Sequence, residues 1–190
     1  NSKTVDLSVQ ANSLTENGTV PTGAVESGAE LSFYGPFSDS NNLSRASDAD
    51  WDVLGTGAAY YSIWFKSTGT SVIEYFMDFA GGSPAIQFTI NIQVNGSLQF
   101  VDQGATTQVL LFTNRIDLDD SAWHKVDAVR VSGSERYIYV DGVLDVTNTT
   151  DAGSLSGSGN LPFRIGVQAD GAGNPAPPSP LALARLSATA

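Results

Sequence analysis

Residues 116–147, IDLDDSAWHKVDAVRVSGSERYIYVDGVLDVT, constrain the fold more than any other stretch. They read as an acidic turn, a strand, a short turn, and a β-hairpin closed on Asp141-Gly142. An Asp-Gly pair suits a type I′ turn, because both central residues need positive φ. The expected hairpin arms are 137–140 and 143–146.

The same two-residue alternation of apolar and polar side chains, the mark of a half-buried strand, recurs along the chain. It predicts strands at 5–9 (VDLSV), 31–35 (LSFYG), 58–66 (AAYYSIWFK), 71–80 (SVIEYFMDFA) and 87–94 (QFTINIQV). Further strands are expected at 109–112, 161–168 (LPFRIGVQ) and 181–188 (LALARLSA). In the aromatic-rich run 58–66, Tyr61, Ile63 and Phe65 share one face, and Tyr60, Ser62, Trp64 and Lys66 the other. In 87–94, Phe88, Ile90, Ile92 and Val94 point inward, and Gln87, Thr89, Asn91 and Gln93 outward. Asn95-Gly96 closes a hairpin. A three-residue loop over 95–97 pairs Val94 with Leu98 and Ile92 with Phe100, which keeps the apolar faces together. Between strands lie polar loops, one with a helical turn near 48–54 whose Trp51 plugs an end of the sandwich. Residues 170–180 carry four prolines and exclude helix or central strand. Many short strands with turn signals between them predict an all-β sandwich or barrel.

A chain of 190 residues fits one domain, 1–190. At that length folding buries roughly 70% of the unfolded chain's surface, so no covalent staple is needed. Cysteine is absent, which excludes a disulfide framework, a thiolate nucleophile and a cysteine-ligated metal. The net charge of −11 repels nucleic acid and anionic lipid. No apolar run approaches the ~20 residues that span a bilayer, so membrane insertion is not expected. The opening NSKTVDLSVQ, without Met and already strand-like, favours a piece of a longer chain with other domains. Acidic charge and the lack of a long apolar edge favour a monomer in isolation.

Residues 119–140 (DDSAWHKVDAVRVSGSERYIYV), followed by Asp141-Gly142, resemble the laminin G-like branch of the concanavalin A-like lectin/glucanase superfamily. The run DADWDVLGTG before the aromatic strand, the Phe163-Arg164-Ile165-Gly166 strand and the final LALARLS strand fit the same pattern. The resemblance implies an all-β jelly-roll sandwich of two antiparallel sheets, one concave, with first and last strands adjacent. It also implies a binding module of a larger extracellular, cell-surface or virion protein, although fold kinship does not fix function.

Calcium-binding members hold the ion at a sandwich rim with two aspartates and backbone carbonyls. The resemblance places Asp78 and Asp170 at those positions, and oxygen ligands suit Ca2+. The plainer reading is that both are turn residues. Asp117, Asp119 and Asp120 form a weaker second cluster. For glycan binding, aromatic faces beside amides supply stacking and hydrogen bonds. Tyr60 and Trp64 on one strand, with Gln87, Asn91 and Gln93 on another, are the candidates. Such aromatics also commonly pack under a loop.

Enzyme readings fare worse. Retaining glycosidases need carboxyls ~5–5.5 Å apart and inverting ones ~6.5–9.5 Å. Glu74 and Asp78 are expected on one face but about 13 Å apart, with Phe76 between them. His124 is the sole histidine and sits beside Trp123 in a turn, where packing or turn hydrogen bonding explains it. The Asn-X-Ser/Thr sites at Asn17, Asn42, Asn95 and Asn148 carry little information in so polar a chain. The sequence therefore supports a non-catalytic, lectin-like adhesion module whose partner is a glycan or a cell-surface or virion protein. The alternative is a structural decoration or spacer domain without its own ligand, and the third reading a glycoside hydrolase.

Overall fold

The computed structural model describes residues 13–24, 32–46, 57–69, 71–81, 85–103, 107–153, 162–168 and 179–187. Every regular element among them is a strand: β1 (Thr15–Asn17), β2 (Thr22–Ala24), β3 (Ser32–Tyr34), β4 (Asn42–Arg45), β5 (Ala59–Phe65), β6 (Glu74–Gly81) and β7 (Ala85–Ile92). They continue with β8 (Leu98–Gln103), β9 (Gln108–Phe112), β10 (His124–Ser132), β11 (Glu135–Val140), β12 (Val143–Asn148), β13 (Phe163–Ile165) and β14 (Leu181–Ser187). The predicted strand 5–9, the helical turn at 48–54 and Trp51 lie outside the described residues.

Two antiparallel sheets face each other. The first runs β1-β4-β13-β6-β7-β8-β9 and the second β12-β11-β10-β5-β14-β3-β2. Period-2 alternation explains why they pack: Tyr61, Ile63 and Phe65 on β5, and Phe88, Ile90 and Ile92 on β7, are buried in one common core. Tyr61 and Phe88 meet at 4.1 Å between ring centroids, and Phe65 stacks on Phe76 at 4.7 Å. Such ring pairs add about 0.5–1.5 kcal/mol each beyond their burial. Burial also pushes the Tyr61 hydroxyl well above its ordinary pKa, so it stays neutral.

The core encloses charge as well. Inward-facing Asp102 receives Arg130 Nη1 on one oxygen at 2.6 Å and Arg136 Nε on the other at 2.5 Å. Arg130 Nε donates to the Gly57 carbonyl, and Arg136 Nη1 to those of Gly133 and Thr150. All three side chains are essentially inaccessible to solvent.

The Asp141-Gly142 hairpin forms as expected: both residues have positive φ, 54° and 79°, and Val140 pairs with Val143. The hairpin after β7 does not take the expected register. Ile92 pairs with Leu98 and Ile90 with Phe100, so the loop is 94–96 and Val94 is exposed. The two registers differ by two residues and both keep apolar side chains on one face, so alternation does not separate them. Glycine does. A three-residue loop needs a left-handed residue at its third position, and Gly96 (φ 78°) occupies it. The Gly96 amide closes the turn onto the Gln93 carbonyl at 2.9 Å.

Strand β6 also departs from simple alternation. The register shifts by one residue between Tyr75 and Met77, leaving Phe76 as a bulge. Phe76 and Met77 are consecutive yet both fully buried. Glu74 is thereby turned into the interior, where the Ser179 hydroxyl donates to it at 2.5 Å, while Asp78, also buried, lies on the opposite face of the sheet. The two acids do not share a face, contrary to the unbroken strand expected. Of the expected adjacency of first and last strands, the first, 5–9, lies outside the described residues, and the last, β14, pairs with β3 and β5 in the second sheet.

Candidate functional site

The five expected glycan-contacting residues do not converge. Tyr60 and Trp64 lie on the outer face of the second sheet, and Asn91 and Gln93 on that of the first, on the far side of the core. The side chain of Gln87 lies outside the described residues. On the first sheet, Gln93 Nε2 donates to Asn91 Oδ1 at 2.5 Å and to Gln99 Oε1 at 3.1 Å, and Asn91 Nδ2 donates to the same Gln99 oxygen. Asn91 is buried, so these amides mainly satisfy one another.

The outer face of the second sheet gathers aromatic rings around a charged pair. Strand register sets three rows across β5, β10 and β11: Tyr60–Val129–Tyr137, Ser62–Asp127–Tyr139, and Trp64 beside Lys125. Adjacent strands lie about 4.8 Å apart, so the tyrosines of β5 and β11 stand roughly 10 Å apart across β10. Between them lie Val129, Asp127 and Lys125 of β10, and the Tyr60 hydroxyl reaches across to Asp127. From Lys125 to Val129 this stretch of β10 runs about 13 Å at a strand's rise. Tyr60, Trp64, Tyr137 and Tyr139 are each half-buried, and the last two rings meet at 6.3 Å and 50°.

Asp127 anchors this surface. Its Oδ1 accepts the Tyr60 hydroxyl at 2.6 Å and its Oδ2 the Lys125 ammonium at 2.9 Å. Burial opposes its ionisation, but the hydrogen bonds from Ser62, Tyr60 and Lys125 outweigh that and hold its carboxyl below the usual range. Asp127 is therefore a locked anion that orients the Tyr60 ring and the Lys125 ammonium. Sequence reasoning placed Tyr137 and Tyr139 only as hairpin arms. Their alternation with buried Ile138 and Val140 already put both rings on one outer face.

At the rim, His124 is buried between two carboxylates, Nδ1 at 2.9 Å from Asp141 and Nε2 at 3.1 Å from Asp120, with Phe65 behind it. Arg115 bridges Asp117 and Asp141. The acids of 117–120 thus tie the turn to the hairpin. For calcium, Asp78 is a hard oxygen donor of the right kind, yet it accepts the Thr89 hydroxyl and stands in register with Arg164. No group of three His, Cys, Asp or Glu residues suited to a metal occurs among the described residues, and Asp170 lies outside them.

A family model of laminin G type, described as the concanavalin A-like lectin/glucanases superfamily, matches residues 38–178. The chain belongs to that superfamily. No curated protein matches the sequence. The similar solved structures include the binding domain of botulinum neurotoxin DC in complex with rat synaptotagmin II, at 14% identity and TM-score 0.69. The binding domain of botulinum neurotoxin serotype G aligns at 8% and 0.72. A structure of botulinum neurotoxin type C, whose cell entry depends on interaction with two ganglioside molecules, aligns at 13% and 0.68. Each alignment covers 97% of this chain but 45% of the neighbour. Identity this low shows the shared jelly-roll fold of the superfamily and nothing finer. No helix among the described residues is long and apolar enough to cross a membrane.

Proposed function

We propose that this superfamily member is a non-catalytic recognition module of an extracellular, cell-surface or virion protein, and that it binds a carbohydrate on the outer face of the second sheet, in a shallow trough along β10. The observation that carries this reading is the placement of Tyr60 opposite Tyr137 across Val129, with Tyr139 in the next row across Asp127 from Ser62. Flat rings on both sides of a shallow polar floor stack on pyranose faces, and Lys125 is positioned to donate to hydroxyls. The non-catalytic reading is supported by the bulge that turns Glu74 and Asp78 to opposite faces, and by the engagement of Asp127 with three donors. The neighbours' binding-domain architecture supports a glycan or a cell-surface protein as partner. A calcium ion held by Asp78 with Asp170 belongs to the same proposal, supported by the resemblance and by the oxygen chemistry of the two acids.

A glycan array probed with the domain, in calcium and in chelator, tests both parts. Array binding that Tyr139→Ala and Tyr60→Ala each weaken at least tenfold, with unchanged thermal midpoints, is the expected result. Loss of binding in chelator would assign calcium a role, and indifference would remove it. Silence from a folded sample under both conditions would sink the glycan reading in favour of a structural decoration or spacer domain.

A further inference from the structure

Of the charged side chains that β8, β10 and β11 send into the core, one has donors to spare. Arg130 and Arg136 are register partners on β10 and β11, and both guanidiniums converge on Asp102 of the facing sheet. A guanidinium carries five N–H donors and no acceptor. Arg136 commits Nε to Asp102 and Nη1 to the Gly133 and Thr150 carbonyls. Its Nη2 is buried and has no hydrogen-bond partner. The whole side chain is sealed from solvent, at 0% exposure. Buried polar groups are nearly always satisfied by protein, ordered water or an ion, so a donor of this kind marks a ligand position.

The acceptors around the guanidinium narrow the choice of ligand. The Gly133 carbonyl takes two donors, Arg136 Nη1 and the Ala152 amide at 3.0 Å. Each Asp102 oxygen takes a guanidinium, and the Gly57 carbonyl takes Arg130 Nε. A water accepting from Nη2 would still have its own protons to place, and a buried water ordinarily makes about three hydrogen bonds. These neighbours are already engaged. A monatomic anion brings no proton and accepts from every donor that faces it. It also adds negative charge where two guanidiniums share one carboxylate, and a buried charge is costly unless paired. A larger oxyanion does not fit a sealed, close-packed interior.

We propose that Arg136 Nη2 binds a chloride ion inside the sandwich, beside the Asp102 cluster. Through Nη1 the same guanidinium fastens the turn at Gly133 to the segment at Thr150, and the Ala152 amide closes the same contact. The ion therefore braces the end of the molecule opposite the Asp141-Gly142 hairpin. Val126 and Val140 pair at the hairpin end of β10 and β11, and Arg130 and Arg136 at the other. The site shares no residue with the glycan trough and stands independently of it.

Thermal unfolding of the 190-residue chain in sodium chloride, bromide, fluoride and sulfate at matched ionic strength is the test. A ligand that binds only the folded state stabilises it as ln(1 + [L]/Kd). The midpoint should thus climb steadily with the logarithm of chloride or bromide concentration. Sulfate acts by exclusion from the surface and needs no site, and fluoride holds its hydration too tightly to enter. Arg136→Gln, which removes the guanidinium, should abolish the difference between chloride and fluoride. Crystals grown from bromide give a readout that needs no variant to fold: an anomalous peak within hydrogen-bonding reach of Nη2. Chloride and bromide curves that follow fluoride throughout overturn the proposal. So does a halide response that Arg136→Gln leaves intact, and so do bromide peaks confined to the surface, which would be adventitious ions only.

Discussion

At Asp102 a single carboxylate serves two guanidiniums inside the core, so its loss removes the ion pair that Arg130 and Arg136 each make with it. Breaking a buried ion group by removing one partner costs about 3–5 kcal/mol. Asp102→Asn is expected to destabilise by that order in urea unfolding. Replacing all three by apolar residues of similar volume should restore most of the loss, because the desolvation penalty disappears with the charges. Asp127 makes a pH prediction with a definite sign. Its folded carboxyl titrates below the ordinary value, so its contribution is full above the unfolded pKa of about 3.9 and fades as pH falls through the folded value. Asp127→Asn should be less stable than wild type at neutral pH, with the gap closing below about pH 4. An unchanged gap in acid unfolding followed by circular dichroism would contradict this.

The hairpin joining β7 to β8 shows how one residue fixes an element. A Cβ on Gly96 would lie 2.4 Å from the Ile116 carbonyl and 2.7 Å from an Asp119 oxygen, on a backbone already at φ 78°. The left-handed conformation alone costs an L-residue about 1–2 kcal/mol, and the clash with backbone adds to it. Gly96→Ala is therefore expected to lower the thermal midpoint markedly. Gly142→Ala, with open space around its Cβ, should incur only the conformational cost. Equal shifts in the two variants would show that the packing of Ile116 against the loop is not what holds it. The bulge at Phe76 is the second decisive element, since it reverses the facing of everything before it on β6.

For the whole molecule, the acidic field selects among ligands of one size. Lys125 is one cation in the trough, while the domain carries eleven more negative than positive charges. A neutral saccharide meets no long-range force, whereas an anionic one is repelled until salt screens the field beyond roughly 8–10 Å. Affinity for neutral ligands on the array should thus be insensitive to ionic strength, and signal from sialylated or sulfated ligands should rise with it. A signal from anionic glycans that falls with added salt would mean the trough is electropositive in effect, contrary to the net charge of the domain.

Alternation and turn chemistry are local properties, and they were legible. The β5 and β7 faces, the Asp141-Gly142 turn and the sandwich class all follow from residues within a few positions of one another. Even the charged core left a trace: Asp102, Arg130 and Arg136 fall on the inward phase of their strands, where an acid and two bases signal a buried group. What alternation cannot express is an inserted residue, a shift by two, or the order of strands in a sheet. The Phe76 bulge depends on Phe65 across the core, and the 94–96 loop on where glycine sits. The edge position of β9 depends on long-range pairing that leaves it no outer neighbour among the described strands. The sequence by itself thus determined the class of fold and the inward and outward faces of most strands, because those are settled by short-range spacing. Only the tertiary structure decided that Tyr60 stands across β10 from Tyr137, that Asn91 lies on the opposite side, and that β9 ends the first sheet among the described strands. Each of those is a statement about which strands are neighbours, and neighbours are chosen by the packing of the whole chain.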